Sequence, residues 1–281
     1  MDYRMHMRRV GVLYNPFAES SVRLSIELSH WMESLGFGVW RGISQEGRDD
    51  PAVIADEELM IALGGDGTVL RAARLAIPYG IPVLGVALGH LSFMAEILPE
   101  EIYTSLPSLL AGAGWRDERT LIDATLRRQG NEVATFTALN EILVSRSDVG
   151  RIVEMDVAID NAQLTTYHAD GVLVATATGS TAYALAAGGP IVDPRSRALL
   201  LVPIAAHLTS VPSMVLHDNA VITLRLTSRH AATLAVDGHN HLPLVVGDEI
   251  EIRRSREVCV FARIHPPSEF YARLVRRLRR G

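Results

Sequence analysis

The stretch from Leu59 to Leu75 sets three glycines and one carboxylate between an apolar run and a helix-forming run. Leu59–Leu63 predicts a buried strand, and Val69–Leu75 predicts the start of a helix. The residues between them are Gly64, Gly65, Asp66, Gly67 and Thr68. Glycine lets the backbone approach a ligand closely or adopt positive φ, and a helix N-terminus offers N–H groups to an anion. A phosphate-binding strand–turn–helix unit is therefore predicted here.

Asp66 is an unusual residue for a phosphate site. A carboxylate repels phosphate unless it binds a metal ion or accepts a proton from a nucleophile. The loop therefore suggests phosphoryl transfer to a hydroxyl group. The simpler alternative is an ordinary strand-to-helix turn in which Asp66 or Thr68 caps the helix.

The pattern of elements predicts two domains. Short buried strands alternate with helical segments over residues 1–116, which is typical of a Rossmann-like α/β domain with a parallel sheet. Residues 117–259 contain many short β-forming runs separated by turns, which predicts a β-sandwich-like domain. Phe270–Leu278 predicts a C-terminal helix, within a tail of residues 260–281 that returns to pack on the first domain.

Composition limits the classes of partner and compartment. The 281 residues carry a net charge of −5, so no global basic field recruits nucleic acid. The basic cluster Arg273, Arg276, Arg277, Arg279 and Arg280 has no interleaved aromatic residues and predicts a solvated helix face. No segment resembles a signal peptide or a membrane span, so we expect a cytoplasmic protein without membrane contact. The single cysteine, Cys259, lies in an apolar run and is expected to be buried.

A second motif runs from Thr178 to Pro190. It follows an apolar strand, Val172–Ala175, and predicts an Ala-rich helix that starts at Gly179-Ser180-Thr181 and ends at Gly188-Gly189-Pro190. Its hydroxyl and N–H groups could bind an anion or a ribose, or the helix could simply pack. A ligand that touched both glycine motifs would lie in a cleft between the two predicted domains.

Three further polar groups interrupt apolar runs. Asn140-Glu141 must be satisfied by a turn or by a ligand. His168 and Asp170 precede Gly171 at a predicted strand start, where a β-turn suffices, and Asp237-Gly238-His239 has the pattern of a hairpin turn. No His or carboxylate spacing indicates a metal cage. A triad of Ser180, His207 and Asp170 is disfavoured because no nucleophile elbow surrounds the serine.

Together these motifs resemble the NAD kinase family, which phosphorylates the 2′-hydroxyl of the adenosine ribose of NAD to give NADP. The matching segments cover residues 9–272, nearly the whole chain, and include Gly64–Thr68, Asn140-Glu141, Thr166–Gly171, Ala175–Tyr183, Gly188–Pro190, Pro203–Ala205 and Asp237-Gly238. The first loop alone also resembles lipid kinases of the diacylglycerol and sphingosine type. Its combination with the other segments is specific to NAD kinases.

The resemblance implies roles for individual residues. Asp66 would be the base that accepts the ribose proton. Gly64, Gly65, Gly67 and Thr68 would hold the phosphates of ATP, with a divalent ion, expected to be Mg²⁺, bridging them. The residues implied to contact NAD are Asp66, Gly67, Arg71, Asn140, Glu141, Arg151, His168, Asp170, Thr178, Ser180, Thr181, Ala182, Tyr183, Ala184, Leu185, Ala186, Ala205 and His239. A homodimer or homotetramer is implied, in which a neighbouring subunit completes the NAD site.

One segment departs from the family pattern. Ala87 stands where the family usually has Asn, and Ser92 stands where it usually has Gly. This change leaves a non-catalytic NAD(P)-binding sensor as one alternative function, and a lipid kinase is the other. The sequence does not distinguish ATP from polyphosphate as donor, or NAD from NADH as acceptor.

Overall fold

The computed structural model describes residues 8–45, 51–89, 92–148, 150–207 and 211–278. The chain forms two compact units, of which one comprises Met1–Glu118 together with Cys259–Gly281 and the other comprises Arg119–Val258. Arg279 and Arg280 of the basic cluster, and His90 and Leu91 of the segment that departs from the family pattern, lie outside the described residues.

The N-terminal unit is an α/β structure with a parallel sheet. Its elements up to residue 110 are β1 (Arg9–Tyr14), α1 (Glu19–Ser34), β2 (Gly38–Ile43), a 3-10 helix (Pro51–Ile54), β3 (Leu59–Gly64), α2 (Asp66–Ala76), a 3-10 turn (Ile77–Tyr79), β4 (Val83–Ala87), a second 3-10 turn (Pro99–Glu101) and α3 (Ile102–Leu110). All residues of β3 and β4 are buried because helices cover the sheet.

The strand order in this unit determines where a ligand can bind. The strands lie side by side in the order β2-β1-β3-β4, and neighbouring strands are parallel. The chain therefore reverses its direction of travel across the sheet between β1 and β3. In open α/β sheets, ligands bind beyond the carboxyl ends of the strands at such a switch point. The glycine loop that follows β3 lies at this position.

The second unit is formed by antiparallel strands. They are β5 (Trp115–Arg128), β6 (Asn131–Ala138), β7 (Glu141–Arg146), β8 (Val153–Ile159), β9 (Ala162–Ala169), β10 (Gly171–Ala175), β11 (Leu199–Ile204), β12 (Met214–Leu216), β13 (Ile222–Leu226), β14 (Ala232–Val236), β15 (His239–Leu244) and β16 (Glu249–Arg263), with a 3-10 turn (Gly179–Thr181) and α4 (Tyr183–Ala186) between β10 and β11.

The antiparallel strands form two groups. One sheet has the order β12-β11-β10-β7-β14-β15, and the other group contains β16-β13-β8-β9 and the β5–β6 hairpin. One cluster of buried aliphatic side chains draws on both groups. This arrangement confirms the predicted β-sandwich-like domain.

The chain passes between this unit and the first along two long strands. β5 and β16 each begin in one unit and end in the other, so both connections are continuous strands. After β16 the chain forms α5 (Glu269–Leu278), which confirms the predicted C-terminal helix. No helix among the described residues is long and apolar enough to cross a membrane.

Two hairpin turns have the backbone that their residues favour, and one of them is the turn predicted at Asp237-Gly238. Asp160 and Asn161 both have positive φ in the β8–β9 turn, and Asp237 and Gly238 do so between β14 and β15. Two residues with positive φ form the type I′ turn that suits the twist of a hairpin. Cys259 is buried as predicted. Strands β11 and β12 were not predicted.

The predicted Ala-rich helix is wrong in length. The segment contains only the 3-10 turn Gly179–Thr181 and the four-residue α4. The amide of Gly189 already donates to the carbonyl of Ala184 at 2.8 Å, which closes the turn. The segment therefore lacks the aligned N–H groups of a longer helix, and the predicted N-terminal anion site loses that basis.

Candidate active site

The glycine loop joins β3 to α2, and its glycines serve different purposes. A Cβ atom on Gly64 would lie 2.3 Å from Oγ1 of Thr68, so this residue must be glycine. The same atom on Gly65 or Gly67 would meet nothing within 4 Å. None of the three has positive φ, which corrects that part of the prediction. Close approach requires Gly64, whereas Gly65 and Gly67 leave the outer face of the loop open.

Asp66 is the first residue of α2, and its half-buried carboxylate receives hydrogen bonds from a second segment. Oδ1 accepts from the Ser92 hydroxyl and, at 3.1 Å, from the Met94 amide. Oδ2 accepts from the Phe93 amide at 3.3 Å. These donors stabilise a negative charge and fix the direction of the side chain. The arrangement suits a carboxylate that must accept a proton at a defined place.

The segment Ser92–Glu96 is anchored at its far end by the C-terminal part of the chain. The carbonyl of Met94 and the carboxylate of Glu96 accept from Arg263, at 2.8 and 3.2 Å. Arg273 of α5 donates to the carbonyls of Ala95 and Glu96. Arg273 was predicted on a solvated face, and this is wrong because the peptide carbonyls hold its guanidinium. A cavity of about 340 Å³ lies beside the segment, with Ser92 and Arg273 in its wall.

In the second unit, a turn between β6 and β7 presents Asn140 and Glu141. Asp237 of the β14–β15 hairpin accepts the backbone N–H groups of Leu139, Asn140 and Glu141 at 3.0, 2.7 and 3.0 Å. Asn140 and Glu141 can therefore belong to a turn and still bind a ligand. Asp237 organises the backbone, while the two side chains are left for other contacts.

One oxygen atom of each of these two side chains has no hydrogen-bond partner among the described residues. Oδ1 of Asn140 and Oε2 of Glu141 are buried, and neither has a hydrogen-bond partner among the described residues. Buried oxygen atoms without partners are rare in native structures because they lose the hydrogen bonds of water. Burial, with a smaller contribution from the charge of Asp237, raises the pKa of Glu141 to about 8. The carboxyl group is therefore mainly protonated at neutral pH and can donate a hydrogen bond as well as accept one.

The segment Thr176–Thr181 packs directly against this turn. A Cβ on Gly179 would lie 2.1 Å from the carbonyl oxygen of Asn140. Ser180 is fully buried, and its hydroxyl donates to the carbonyl of Ala177 at 2.6 Å and accepts from the amide of Val192 at 3.1 Å. The Thr178 hydroxyl accepts from Arg119 at 3.3 Å. Ser180 therefore holds the segment together through its side chain.

Other predicted residues lie at the opposite end of the same strands. Glu141 pairs with Ala175 at one end of β7 and β10, whereas Ser145 pairs with Gly171 at the other. Asp170 lies beyond that second end, where Arg146 binds its carboxylate at 2.7 Å. The five residues of β10 lie between the two groups and separate them by about 17–20 Å along the sheet. The structure thus divides the predicted NAD-binding residues of this unit into two clusters.

The cluster around Asp170 includes His168 and a strained residue. The carbonyl of His168 accepts from the amide of His207 at 2.7 Å, and the His168 ring faces Glu154 at 3.8 Å. Ala205 has a φ of 46°, a conformation that costs free energy for alanine and is concentrated at functional sites.

The remaining predicted residues differ in exposure. Arg151, Tyr183 and Ala186 are exposed, Ala184 is buried, and the half-buried ones are Arg71, Thr181, Ala182, Leu185 and His239.

Four residues that contact the predicted site residues were not identified from the sequence. Ser92, Phe93, Arg146 and Asp237 were not predicted as site residues, although each contacts a predicted one. The position of Ser92 was visible as a departure from the family pattern.

Among the described residues, no group of three or more His, Cys, Asp or Glu side chains could hold a metal ion.

Comparison with known families matches both units. The model of the ATP-NAD kinase N-terminal domain matches residues 49–113, and that of the ATP-NAD kinase C-terminal domain matches residues 139–264. Solved structures agree in fold. A yeast NADH kinase complexed with NADH has a TM-score of 0.81 at 25% identity, covering 96% of this chain and 86% of that one. An NAD kinase from Archaeoglobus fulgidus in complex with ATP has a TM-score of 0.75 at 22% identity, with 95% and 98% covered.

Curated relatives match over their full length. The NAD kinase of Chloroflexus aggregans is 62% identical over 275 residues, which cover 98% of this chain and all of the relative. The NAD kinase of Dehalococcoides mccartyi is 36% identical over 273 residues, covering 97% and 96%. Nothing in these comparisons supports a lipid kinase or a non-catalytic sensor. The chain belongs to the NAD kinase family and is an NAD kinase by fold and by sequence over both of its units.

Proposed function

We propose that Asp66 is the general base of the reaction and that ATP is the phosphoryl donor. The 2′-hydroxyl oxygen of the adenosine ribose forms a bond to the γ-phosphorus, the bond from that phosphorus to the β–γ bridging oxygen breaks, and ADP leaves. The hydroxyl proton moves to the Asp66 carboxylate. The observation that carries this proposal is the carboxylate itself, oriented by three donors at the first turn of α2.

The glycine loop is proposed to bind the donor phosphates. The open faces of Gly65 and Gly67 let phosphate oxygens reach the backbone, and the N-terminus of α2 adds a partial positive charge. Thr68 packs its side chain on Gly64 and holds the loop in this shape.

A divalent ion, with Mg²⁺ expected, fits this site as a companion of the nucleotide. Mg²⁺ is commonly held by one or two carboxylates together with substrate phosphates and water. No cage of three acidic or imidazole groups is present among the described residues, so the ion would be held mainly by the phosphates of the nucleotide and by water. When bound, the ion would neutralise charge on the phosphates of the nucleotide.

The C-terminal unit is proposed to bind NAD. Asn140 and Glu141 each offer a buried oxygen atom that has no partner among the described residues and can bond to a ligand. The segment from Thr178 to Ala186, with Thr181, Ala182, Tyr183, Ala184 and Leu185, forms the adjoining wall, and Ser180 supports it. Arg71, Arg151 and His239 are proposed to contact the dinucleotide as well.

Asn replacement of Asp66 tests the base role. Asp66→Asn keeps the size and the ability to accept a hydrogen bond, so NAD binding measured by calorimetry should remain within about twofold. Turnover should fall by about 10²–10⁴-fold because positioning and charge neutralisation remain while the base is lost. Equal turnover in the mutant and the wild type would contradict the base role.

A matrix of donors and acceptors tests the substrates. Purified protein is incubated with ATP, GTP or polyphosphate, each against NAD and NADH, and the 2′-phosphorylated product is quantified. We expect ATP with NAD to give the highest rate. A higher rate with polyphosphate or NADH would contradict this assignment without touching the role of Asp66.

We further propose that the cluster of Arg146, His168, Asp170 and Ala205 serves the NAD site of a neighbouring subunit. Its position at the far end of β7 and β10 supports this, because it lies about 17–20 Å along the sheet from Asn140 and Glu141. In a two-fold dimer, each subunit would give this cluster to the other.

Mixed dimers test the shared site. One subunit carries Asp66→Asn and the other Asp170→Ala, each with its own affinity tag. If the site is shared, one of the two sites contains no mutation, and the mixed dimer should recover about half of the wild-type activity. If each subunit works alone, both sites are damaged and the mixed dimer stays inactive.

A further inference from the structure

The Ser92 side chain joins two parts of the N-terminal unit. Its hydroxyl donates to Oδ1 of Asp66 and accepts from the amides of Met94 at 3.1 Å and Ala95 at 2.8 Å. A serine hydroxyl has one hydrogen and two lone pairs. Both lone pairs receive an amide, so the hydrogen is directed at Asp66. Ser92 is therefore a donor of fixed direction.

The same contacts shape the turn that carries the other donors. Ser92 is 6% exposed, and its hydroxyl holds the backbone of Met94 and Ala95. The amides of Phe93 and Met94 are in turn the groups that reach the Asp66 carboxylate. Loss of the hydroxyl would remove one hydrogen bond to Asp66 and loosen the turn that provides two more.

We propose that Ser92 is a positioning residue of the phosphoryl transfer, which acts by fixing the Asp66 carboxylate in the direction from which it takes the ribose proton. This inference rests on the proposed role of Asp66. The glycine that is usual in the family pattern has no hydroxyl, so a chain with glycine here would lack this donor. A displacement of a catalytic group by about 1 Å can lower the reaction rate by about 100-fold.

The first test is steady-state kinetics of Ser92→Ala with NAD and ATP. We expect kcat to fall by about tenfold and both KM values to change by less than about twofold, since the carboxylate loses its orientation while the substrates keep their contacts. Ser92→Thr keeps the hydroxyl and should recover most of kcat. An unchanged kcat in Ser92→Ala overturns the proposal, and so does equal loss in Ser92→Thr and Ser92→Ala when both are folded.

Ser228→Ala is a matched control for the general cost of removing a buried hydroxyl. The Ser228 hydroxyl accepts from the amide two residues ahead, that of His230, at 3.0 Å, as the Ser92 hydroxyl does from Met94. Ser228 is also buried. Its replacement should reduce the urea midpoint of unfolding to a similar extent and leave kcat unchanged. A similar loss of kcat in Ser228→Ala would show that the effect is one of stability alone and would overturn the proposal.

A double mutant shows whether Ser92 acts through Asp66. In an Asp66→Asn background, Ser92→Ala should change the residual rate by less than about twofold, because the group that it positions is already removed. A further tenfold loss would mean that Ser92 acts elsewhere, and the inference would fail. If Ser92→Ala does not fold, Ser92→Gly, the usual family residue, takes its place in the same cycle.

The two proposals fail in different ways. Wild-type turnover in Asp66→Asn contradicts the base role itself. Low turnover in Asp66→Asn together with wild-type kcat in Ser92→Ala contradicts only the positioning role of Ser92.

Discussion

Asp66 and Glu141 are both carboxyl groups beside the end of a strand, but their surroundings differ. Asp66 is half-buried and receives hydrogen bonds from Ser92, Phe93 and Met94. Glu141 is buried, and its Oε2 atom has no hydrogen-bond partner among the described residues. The pKa of Glu141 is raised to about 8 by burial. The protein thus surrounds one carboxylate with donors and leaves one oxygen of the other carboxyl group without a partner among the described residues.

The difference fits the two roles proposed for these residues, a base and a recognition group. A base must stay ionised and keep one direction, which donors from a rigid segment provide. A recognition group must gain more free energy from hydrogen bonds to the ligand than it loses by leaving water. A buried group without partners meets this condition, because it has already lost its hydrogen bonds to water. Four substitutions test this comparison through the free energy of unfolding, in order of decreasing effect.

Gly179→Ala is expected to have the largest effect. The new Cβ would lie 2.1 Å from the carbonyl oxygen and 2.6 Å from the carbonyl carbon of Asn140, so backbone must move. We expect the free energy of unfolding, measured in urea, to fall by about 4 kcal/mol. Gly67→Ala adds the same methyl group where nothing lies within 4 Å and serves as the control. Equal stability of the two variants would show that the Asn140 turn adapts freely.

Asp237→Ala removes the acceptor of the Leu139, Asn140 and Glu141 amides. We expect a loss of about 3 kcal/mol, since buried N–H groups are left without partners. Loss of the Asp237 charge should also lower the pKa of Glu141.

A matched control for this variant is Asp160→Ala. Asp160 has a φ of 51°, against 48° for Asp237, in the same kind of hairpin turn. Its carboxylate accepts one amide, that of Val221, at 2.9 Å. The control should lose about 1 kcal/mol. Equal losses would mean that the turn conformation, and not the three hydrogen bonds, accounts for the effect of Asp237→Ala.

The pH dependence of stability tests Glu141. The folded pKa is about 8 and the ordinary value is 4.5, so the folded state holds a proton that the unfolded chain releases between these pH values. The contribution of Glu141 to the free energy of unfolding is fully present below pH 4.5 and is lost as the pH rises to 8. Between pH 6 and pH 8, the wild type should lose about 2 kcal/mol more than Glu141→Gln, which stays neutral. Parallel pH profiles of the two proteins would contradict a protonated Glu141.

The sequence predicted the features that depend on residues close to one another along the chain. Strand β3, the loop after it and the hairpin turn at Asp237-Gly238 follow from local patterns of apolar residues, glycines and turn residues. The contact of Asp237 with Asn140 spans 97 residues, and that of Ser92 with Asp66 spans 26. No local pattern encodes such pairs, so their function appeared only in the folded chain.

Tertiary packing also overrode a local preference. The alanines after Ser180 favour a long helix. The buried hydroxyl of Ser180, however, accepts from the amide of Val192, and the chain turns back at Gly189 to donate to Ala184. The separation of Asp170 from Asn140 has the same origin, because strand pairing and not sequence distance decides which end of a strand a residue occupies.

Gly65→Ala should have the smallest effect on stability and separates binding from folding in the Asp66 region. Gly65 has a φ of −92° and a ψ of −172°, a conformation that alanine adopts readily, and its Cβ would meet nothing within 4 Å. The free energy of unfolding should change by less than about 0.5 kcal/mol. The methyl group would occupy the space in which a phosphate oxygen approaches the loop, so the KM for ATP should rise by about tenfold, as expected for one lost charged hydrogen bond. NAD affinity should stay unchanged. A normal KM for ATP in this folded variant would show that the phosphates bind elsewhere. The hydrogen-bond donors around Asp66 would then not serve proton transfer beside a bound nucleotide.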